Sequence, residues 1–219
     1  MHVFMSILLL FILFLFGCLS NSKQTNLSTQ DVGYDYFIPP VVELVNIDHV
    51  EPELMDTLCT YLSSSFAFCS TTESKPYPMG RKHKDLHVDT VLAYLQNIKS
   101  PHATFVIGIT TRKIYSTENG KRKKKQLLGH ARLGGKVSVV STYDISRKNP
   151  LAFNYKNRVI KIMVHELGHN LGLEHCISID QCIMHEQAGS AQQLDRIEMI
   201  FCESCRRRLF TESRFALFY

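Results

Sequence analysis

The sequence predicts an α+β domain with α/β-like character, in which helices pack on one mixed, twisted sheet. Short apolar runs rich in β-branched residues alternate with longer segments whose apolar residues recur at helical spacing. The chain has 219 residues, of which 45% are hydrophobic and 21% charged, and these values are ordinary for one globular domain. The elements follow one another without a clean β-α-β series, which favours a mixed sheet over an all-parallel one.

The predicted strands are the apolar runs that turn residues or charged residues bound. They cover residues 41–47, 66–69, 104–110, 127–132 and 136–142. Gly134 and Gly135 join the last two strands, which is a hairpin signal. In the second of these strands Val137 and Val139 fall on one face.

The predicted helices have apolar residues at three- and four-residue spacing. They cover residues 52–62, 85–98, 154–171 and 191–201. Pro52 suits a first helical turn, Pro101 ends the second helix, and Ser190 suits the N-cap of the last one. The segments 71–84 and 116–126 are predicted to be loops, the first because it contains Pro76, Pro78 and Gly80.

The N-terminal residues predict export rather than folding. Residues 3–16 are almost wholly apolar, which fits the core of a signal peptide, and Leu15-Phe16-Gly17-Cys18 resembles a bacterial lipobox, where the cysteine is acylated. We expect an export segment over residues 1–18, a flexible tether over 19–38 and a globular domain over 39–219. An uncleaved membrane anchor is the alternative. Both predict an extracytoplasmic protein that is membrane-anchored or secreted.

The net charge of +5 is concentrated in two basic runs, Lys121–Lys125 and Arg206–Arg208. No aromatic interleaving or nucleic-acid-binding motif accompanies them. We therefore predict no nucleic-acid partner, and interpret the runs as a solvated loop and as a charged helix end or tail after Cys205.

Three histidines and one glutamate occur at the spacing of a catalytic zinc site. His165 and His169 are four residues apart and share one face of a helix, while Glu166 lies beside the metal, where it can act as general base. Gly172 ends the helix in the left-handed conformation, and the chain then brings His175 back as third ligand. The fourth position is left for water, as in catalytic sites.

The seven cysteines form three groups. Cys18 belongs to the export segment, and Cys59 and Cys69 form either a disulfide or two buried thiols. The remaining four suit a closed tetrahedral zinc site, although disulfides are the alternative in an oxidising space. These four are Cys176, Cys182, Cys202 and Cys205.

These motifs make the chain resemble the archaemetzincins, a metzincin-like family of zinc metallopeptidases. The family pattern His-Glu-x-x-His-x-x-Gly-x-x-His-Cys occurs at 165–176, followed by Cys182-Ile183-Met184, a seventeen-residue spacer and Cys202-x-x-Cys205. One residue more than usual separates Cys176 from Cys182. The resemblance covers roughly residues 41–210.

The resemblance implies a compact metzincin-like zincin domain with an active-site helix and a zinc-bound C-terminal subdomain. It implies one catalytic zinc on His165, His169 and His175, and one structural zinc on the four late cysteines. Met184 would be the methionine of the turn beneath the histidines. His185 is interpreted as a surface or neighbouring residue and His130 as a strand residue, so neither is predicted to bind metal.

The predicted function is zinc-dependent hydrolysis of peptide bonds with Glu166 as general base. The predicted partners are a peptide or protein substrate and a membrane, reached through the N-terminal segment or an acylated Cys18, and we expect a monomer. The alternative function is a non-catalytic binding module that zinc stabilises. Glu166 argues against it, because a purely structural site has no use for that carboxylate.

Overall fold

The fold is described from a computed structural model. It describes residues 39–65, 67–73, 77, 85–123, 127–146, 154–177, 181–186 and 191–212, which belong to one compact unit, Phe37–Tyr219. The predicted export segment with Cys18 and the predicted tether lie outside the described residues. Within the described part of the chain, no helix is both long enough and apolar enough to cross a membrane.

Nine strands and six helices make up the described fold. The strands are β1 (Val41–Asp48), β2 (Phe68–Glu73), β3 (Asp85–His87), β4 (Phe105–Thr110), β5 (Lys113–Tyr115), β6 (Thr117–Glu118), β7 (Lys121–Arg122), β8 (Gly129–Ala131) and β9 (Val137–Ser141). The helices are α1 (Pro52–Ser65), α2 (Val88–Ile98), α3 (Tyr143–Ser146), α4 (Tyr155–Asn170), α5 (Ala191–Leu194) and α6 (Glu203–Glu212).

The central sheet has five strands in the order β2-β1-β4-β9-β8. The first four run parallel, and β8 is antiparallel to β9. This confirms the predicted mixed sheet with helices and the hairpin through Gly134, whose φ is +67°. The expectation of no β-α-β series was wrong, because α1 connects the parallel neighbours β1 and β2, and such pairs require a crossover.

Helices cover both faces of the sheet. Leu58 of α1 and Met163 of α4 pack with Val140 of β9 in one cluster, whereas Leu95 of α2 packs with Val139 in a second cluster on the other face. The predicted face shared by Val137 and Val139 is found, but every residue of β9 is buried. Burial on both faces explains why the inner strands have near-continuous apolar sequences.

Three predicted element bounds were wrong in the first half of the domain. Residues 85–87 form β3, where Leu86 pairs with Ile114 of β5, so α2 begins only at Val88. Strand β2 starts at Phe68 and continues to Glu73, into the predicted loop. The segment predicted as a basic loop contains the β6–β7 hairpin, which turns at Asn119-Gly120 with positive φ at both residues. In each case strand pairing outweighs a local signal for a helix or a loop.

The predicted helix over 191–201 was also wrong, because α5 ends at Leu194 and Ile200 is exposed. The chain after α5 bonds through its backbone to a neighbouring segment instead: the Glu198 N–H donates to the Gln181 carbonyl, and the Ile183 N–H donates to the Ile200 carbonyl. Cys202 and Cys205 stand at the start of α6 rather than at the end of a helix, and the three arginines lie within α6. These bonds bring the two cysteine pairs together.

Candidate metal centres

The helix α4 and the turn after it bring three imidazoles together. His165 and His169 lie on one face of α4, with their Nε2 atoms 3.1 Å apart. Gly172, with a φ of +93°, ends the helix; its N–H donates to the His169 carbonyl, and the Leu173 N–H donates to the Gly168 carbonyl. This pair of bonds is the Schellman motif. The turn returns His175 to within 4.8 Å of the other two ligand atoms.

Backbone carbonyls fix the orientation of two of these rings. The His165 Nδ1 lies 2.7 Å from the Ile183 carbonyl oxygen, and the His169 Nδ1 lies 2.7 Å from that of Leu173. A carbonyl accepts only, so Nδ1 carries the proton and Nε2 keeps its lone pair. Burial lowers the pKa of His165 to about 3, which keeps this imidazole neutral. Both rings therefore hold the tautomer that a metal requires.

The spacing of these nitrogens fits zinc. Two nitrogens bound to one tetrahedral zinc ion stand about 3.3 Å apart, since each bond is about 2.0–2.1 Å long. The observed Nε2–Nε2 separation of 3.1 Å is close to that value. Neutral imidazoles are also ligands that zinc prefers.

Glu166 stands beside the three histidines and is not one of the clustered donors. Its side chain is buried, and burial raises the pKa of Glu166 to about 8. A carboxyl group whose pKa is raised in this way can exchange a proton near neutral pH. The position of Glu166 beside the imidazoles but outside the donor cluster suits a role in proton transfer.

Two glycines that we did not single out from the sequence allow close packing around this site. A Cβ at Gly129 of β8 would lie 2.4 Å from the Glu166 Oε1. A Cβ at Gly168 would lie 2.4 Å from the Met184 Sδ, so Met184 packs against α4 between the two histidine positions, fully buried. No sequence signal marks Gly129, because the contact crosses from the sheet to a helix 37 residues away in the chain.

The four late cysteines form a second, closed cluster. All four are buried, none is in a disulfide, and their sulfur atoms lie within 4.8 Å of one another. The Sγ–Sγ distances are 3.6 Å for Cys176–Cys202 and 3.8 Å for Cys182–Cys205. Both distances exceed the roughly 2.05 Å of a disulfide and match the about 3.8 Å between two thiolates on one tetrahedral zinc. The donor set fits zinc rather than two disulfides.

The other cysteine pair of the domain forms a disulfide. Cys59 of α1 and Cys69 of β2 are bonded, with their Cα atoms 5.4 Å apart. Of the two alternatives left open by the sequence, the disulfide is the one observed. The described part of the domain thus contains one disulfide and four thiols held in a separate cluster.

A cleft of about 370 Å³ opens over the histidines. Strand β8 lines one side, with apolar walls from Leu127, Leu133 and Ile162, and Glu174 and Glu186 also line it. Strand β8 is the last strand of the sheet, with β9 as its neighbour. The histidines thus face a space large enough for part of an extended peptide.

Two further histidines lie near the site without joining either cluster of the described residues. His130 is in strand β8, as predicted, and lines the cleft; burial lowers the pKa of His130. The His185 N–H donates to the Cys182 carbonyl, and His185 forms a backbone bridge with Cys176. Neither histidine is among the clustered donors.

Comparisons with known proteins agree with this architecture. Archaemetzincin of Haloarcula marismortui is 37% identical over 95 residues, which are 40% of this chain and 54% of that protein. The chain spans about half the length of the curated relatives it matches first.

Two solved structures share the fold. Archaemetzincin from Methanopyrus kandleri aligns with a TM-score of 0.64 at 24% identity, covering 78% of this chain and 94% of that one. A structure described as a zinc-dependent peptidase from Methanocorpusculum labreanum aligns with a TM-score of 0.57 at 19% identity, covering 77% of this chain and 99% of that one.

The match to a protein family covers most of the described domain. The chain matches Peptidase family M54 over residues 61–211, which is more than half of its length and includes both the histidine cluster and the cysteine cluster. The match ends one residue beyond the range of resemblance taken from the sequence and begins about twenty residues later. With its histidine cluster, its cysteine cluster and this fold, the chain belongs to Peptidase family M54.

Proposed function

We propose that this chain is a zinc metallopeptidase that hydrolyses peptide bonds, with a catalytic zinc on His165, His169 and His175 and with Glu166 as general base. The observation that carries the proposal is the convergence of these groups. Three imidazoles meet at the floor of a cleft, while a buried carboxyl group stands beside them without joining the donors. Three donors rather than four leave room for water and substrate.

The residues of the chain have separate roles in this reaction. A zinc ion held by the three imidazoles would supply a Lewis acid and would lower the pKa of a bound water molecule. The carbonyls of Ile183 and Leu173 hold two imidazoles in the required tautomer. Glu166 accepts the proton of the attacking water and passes it to the departing amine.

The shape of the cleft supports a peptide substrate. The edge strand β8 lines the cleft beside the histidines, and an extended peptide can add to a sheet edge through main-chain hydrogen bonds. The apolar walls from Leu127, Leu133 and Ile162 would take its side chains. The partner is therefore a peptide or a protein segment in extended conformation.

The second part of the proposal is a structural zinc on the four cysteines. The cluster is closed, because all four donors are buried and no donor position is left for water. We expect two zinc equivalents per chain, one in each cluster. Metal analysis of the purified chain by mass spectrometry gives the count, and one equivalent with two additional disulfides would contradict this part.

A peptide-library assay on the full chain tests the enzymatic proposal. Glu166→Gln should retain zinc and lose about 10²–10⁴-fold in kcat, the usual contribution of general acid–base catalysis. Glu198→Gln, the same change at an exposed position, serves as control and should cleave like the parent. Equal cleavage by the Glu166→Gln variant and the parent would refute the assigned base. Absence of cleavage by the zinc-loaded parent would favour the non-catalytic binding module.

We also propose an extracytoplasmic location. The Cys59–Cys69 disulfide supports it, because structural disulfides persist mainly in oxidising compartments. Attachment to a membrane through an acylated Cys18 stays a prediction. Metabolic labelling with a tritiated fatty acid tests it: the label should enter the parent chain and not a Cys18→Ala variant.

A further inference from the structure

The carboxylate of Glu166 packs against a residue that has no side chain. Strand β8 pairs with β9 so that Gly129 lies opposite Val140, whose side chain belongs to the core cluster beneath α4. Gly129 therefore sits on the face of the sheet that α4 covers. Glu166 projects from α4 into the space that a side chain at 129 would occupy.

The available space is too small for even one methyl group. A Cβ at Gly129 would lie 2.4 Å from the Oε1, 2.7 Å from the Cγ and 2.8 Å from the Cδ of Glu166. Carbon atoms in contact are normally about 3.5–4.0 Å apart. Turning the terminal carboxylate alone would not relieve this clash, since the Cγ is also inside the contact distance. The whole side chain would have to move.

The requirement for glycine at 129 does not come from the backbone. The described glycines with positive φ are Gly120, Gly134 and Gly172, so an alanine could adopt the backbone conformation of Gly129. The three atoms nearest to the added Cβ all belong to Glu166. The closest steric constraint at this position therefore comes from the Glu166 side chain.

We propose that Gly129 is a positioning residue for the reaction: its missing side chain sets where the Glu166 carboxylate stands beside the histidine cluster. The inference rests on the proposed function, because the position of Glu166 matters to the reaction only if Glu166 is the general base. A general base must stand within hydrogen-bond reach of the water that it deprotonates. A displacement of about 1 Å costs roughly 10²-fold in rate, so Gly129→Ala should impair the chemical step without removing any metal ligand.

Gly108 provides a matched control for the added methyl group. It lies in β4 of the same sheet, where a Cβ would lie 2.5 Å from the Ile47 Cδ1 and 2.8 Å from the Leu95 Cδ1. Both atoms belong to the core cluster on the opposite face of the sheet. Gly108→Ala therefore introduces a similar clash far from Glu166, and it should lower the melting temperature without changing kcat.

The experiment compares four variants of the full chain with the parent: Gly129→Ala, Glu166→Ala, the double variant and Gly108→Ala. We expect Gly129→Ala to keep two zinc equivalents and to lose about 10²-fold in kcat, with KM within threefold of the parent. Because alanine lacks the Oε1, Cγ and Cδ atoms that a Cβ at 129 would meet, it removes the clash. The Glu166→Ala change should therefore cost at least fivefold less kcat when it is added to Gly129→Ala than when it is made in the parent. A kcat within twofold of the parent for Gly129→Ala, or costs that simply multiply, would overturn the inference.

A crystal structure of Gly129→Ala separates this inference from the proposed function. The Glu166 carboxylate should be displaced by about 1 Å or more from its position in the parent, whether or not the parent cleaves peptides. An unmoved carboxylate would overturn the positioning role even if the parent is an active peptidase. A displaced carboxylate in an inactive parent would uphold the packing constraint and refute the peptidase assignment alone.

Discussion

The histidine cluster and the cysteine cluster are adjacent in the chain but differ in access to solvent. Of the histidine donors, His165 is buried and His175 is exposed at the cleft, whereas all four cysteines are buried. His175 and Cys176, one from each cluster, are consecutive residues. The difference in donor number and burial separates a site that can exchange water and substrate from one that can only hold an ion.

The two clusters also hold different parts of the domain together. The histidines come from α4 and the turn that follows it, so the helix alone already places two of them. The cysteines come from that turn, from the segment at 182 and from the start of α6. These segments have little regular structure to hold them together. Under the proposed function we therefore expect the cysteine cluster to serve stability and the histidine cluster to serve chemistry.

Removal of one cysteine donor should therefore have the largest effect on stability. We expect Cys205→Ser to lower the free energy of unfolding by more than about 4 kcal/mol, the range seen when a structural metal is lost. His169→Ala should lose hydrolysis and one zinc equivalent but keep most of that stability, because α4 remains packed on the sheet. Urea denaturation with zinc analysis measures both. Equal destabilisation by the two substitutions would contradict the division of roles.

The disulfide pair, Cys59 and Cys69, tests whether stability depends on metal or on cross-linking. The disulfide between Cys59 and Cys69 closes a loop of sequence separation 10, which corresponds to roughly 2.5–3 kcal/mol in the chain-entropy account. The Cys59→Ser/Cys69→Ser variant should lose that amount in urea denaturation while keeping two zinc equivalents and the parent kcat. Loss of zinc from this variant would show that these cysteines belong to a metal site.

The segment 182–184 should couple the two clusters. Cys182 is a donor, the next residue, Ile183, accepts the hydrogen bond from the His165 Nδ1, and Met184 accepts one from the Cys176 N–H. Loss of such supporting contacts typically weakens a metal site 10–100-fold, and coupling between two sites is reciprocal. We expect zinc in the cysteine cluster to be 10–100-fold weaker in His165→Ala, which removes the hydrogen bond to Ile183, than in the parent.

Competition with a chromophoric chelator measures this coupling. The titration compares the parent with the His165→Ala variant. His169→Ala serves as the control, because His169 bonds to Leu173 rather than to the 182–184 segment. Equal affinity of the cysteine cluster in the parent and the variant would mean that the clusters act independently, despite their shared segment.

The sequence predicted those parts of the site that local spacing determines. The His165–His169 pair follows from helical periodicity, and Gly172 follows from the conformation that a helix end requires; both stand where expected. The cysteine cluster was predicted from two pairs of residues, and the structure brings all four together.

The parts that could not be predicted depend on contacts between distant segments. The fit of Gly129 against Glu166 requires knowledge of which face of β8 meets α4. The apolar spacing of Leu194 and Ile197 predicts a helix, yet the backbone after Leu194 bonds to the 181–183 segment instead. Helical periodicity indicates which residues are buried, and Leu194 and Ile197 are both buried. It does not indicate which backbone groups form hydrogen bonds with one another.

The smallest predicted effect concerns an ion pair between α4 and the segment that leads to Cys202. Arg158 donates two hydrogen bonds to Asp195, with the Arg158 Nε 2.8 Å from the Asp195 Oδ1, and the Arg158 guanidinium lowers the pKa of Asp195. A carboxylate whose pKa is lower in the folded state stabilises the fold above its unfolded pKa of about 3.9. That contribution is lost as the pH falls through the folded value.

Asp195→Asn should therefore cost less than about 1 kcal/mol near neutral pH, since partly exposed ion pairs contribute little. The difference from the parent should begin to fall below about pH 4 and be lost once the pH lies below the lowered folded pKa of Asp195. Urea denaturation at both pH values measures it. Glu53 forms a more exposed ion pair with Lys156 of α4. Glu53→Gln should therefore have no measurable effect on the free energy of unfolding. If Asp195→Asn still lowers the free energy of unfolding in acid, Asp195 stabilises the contact between α4 and the segment that leads to Cys202 by packing rather than by charge.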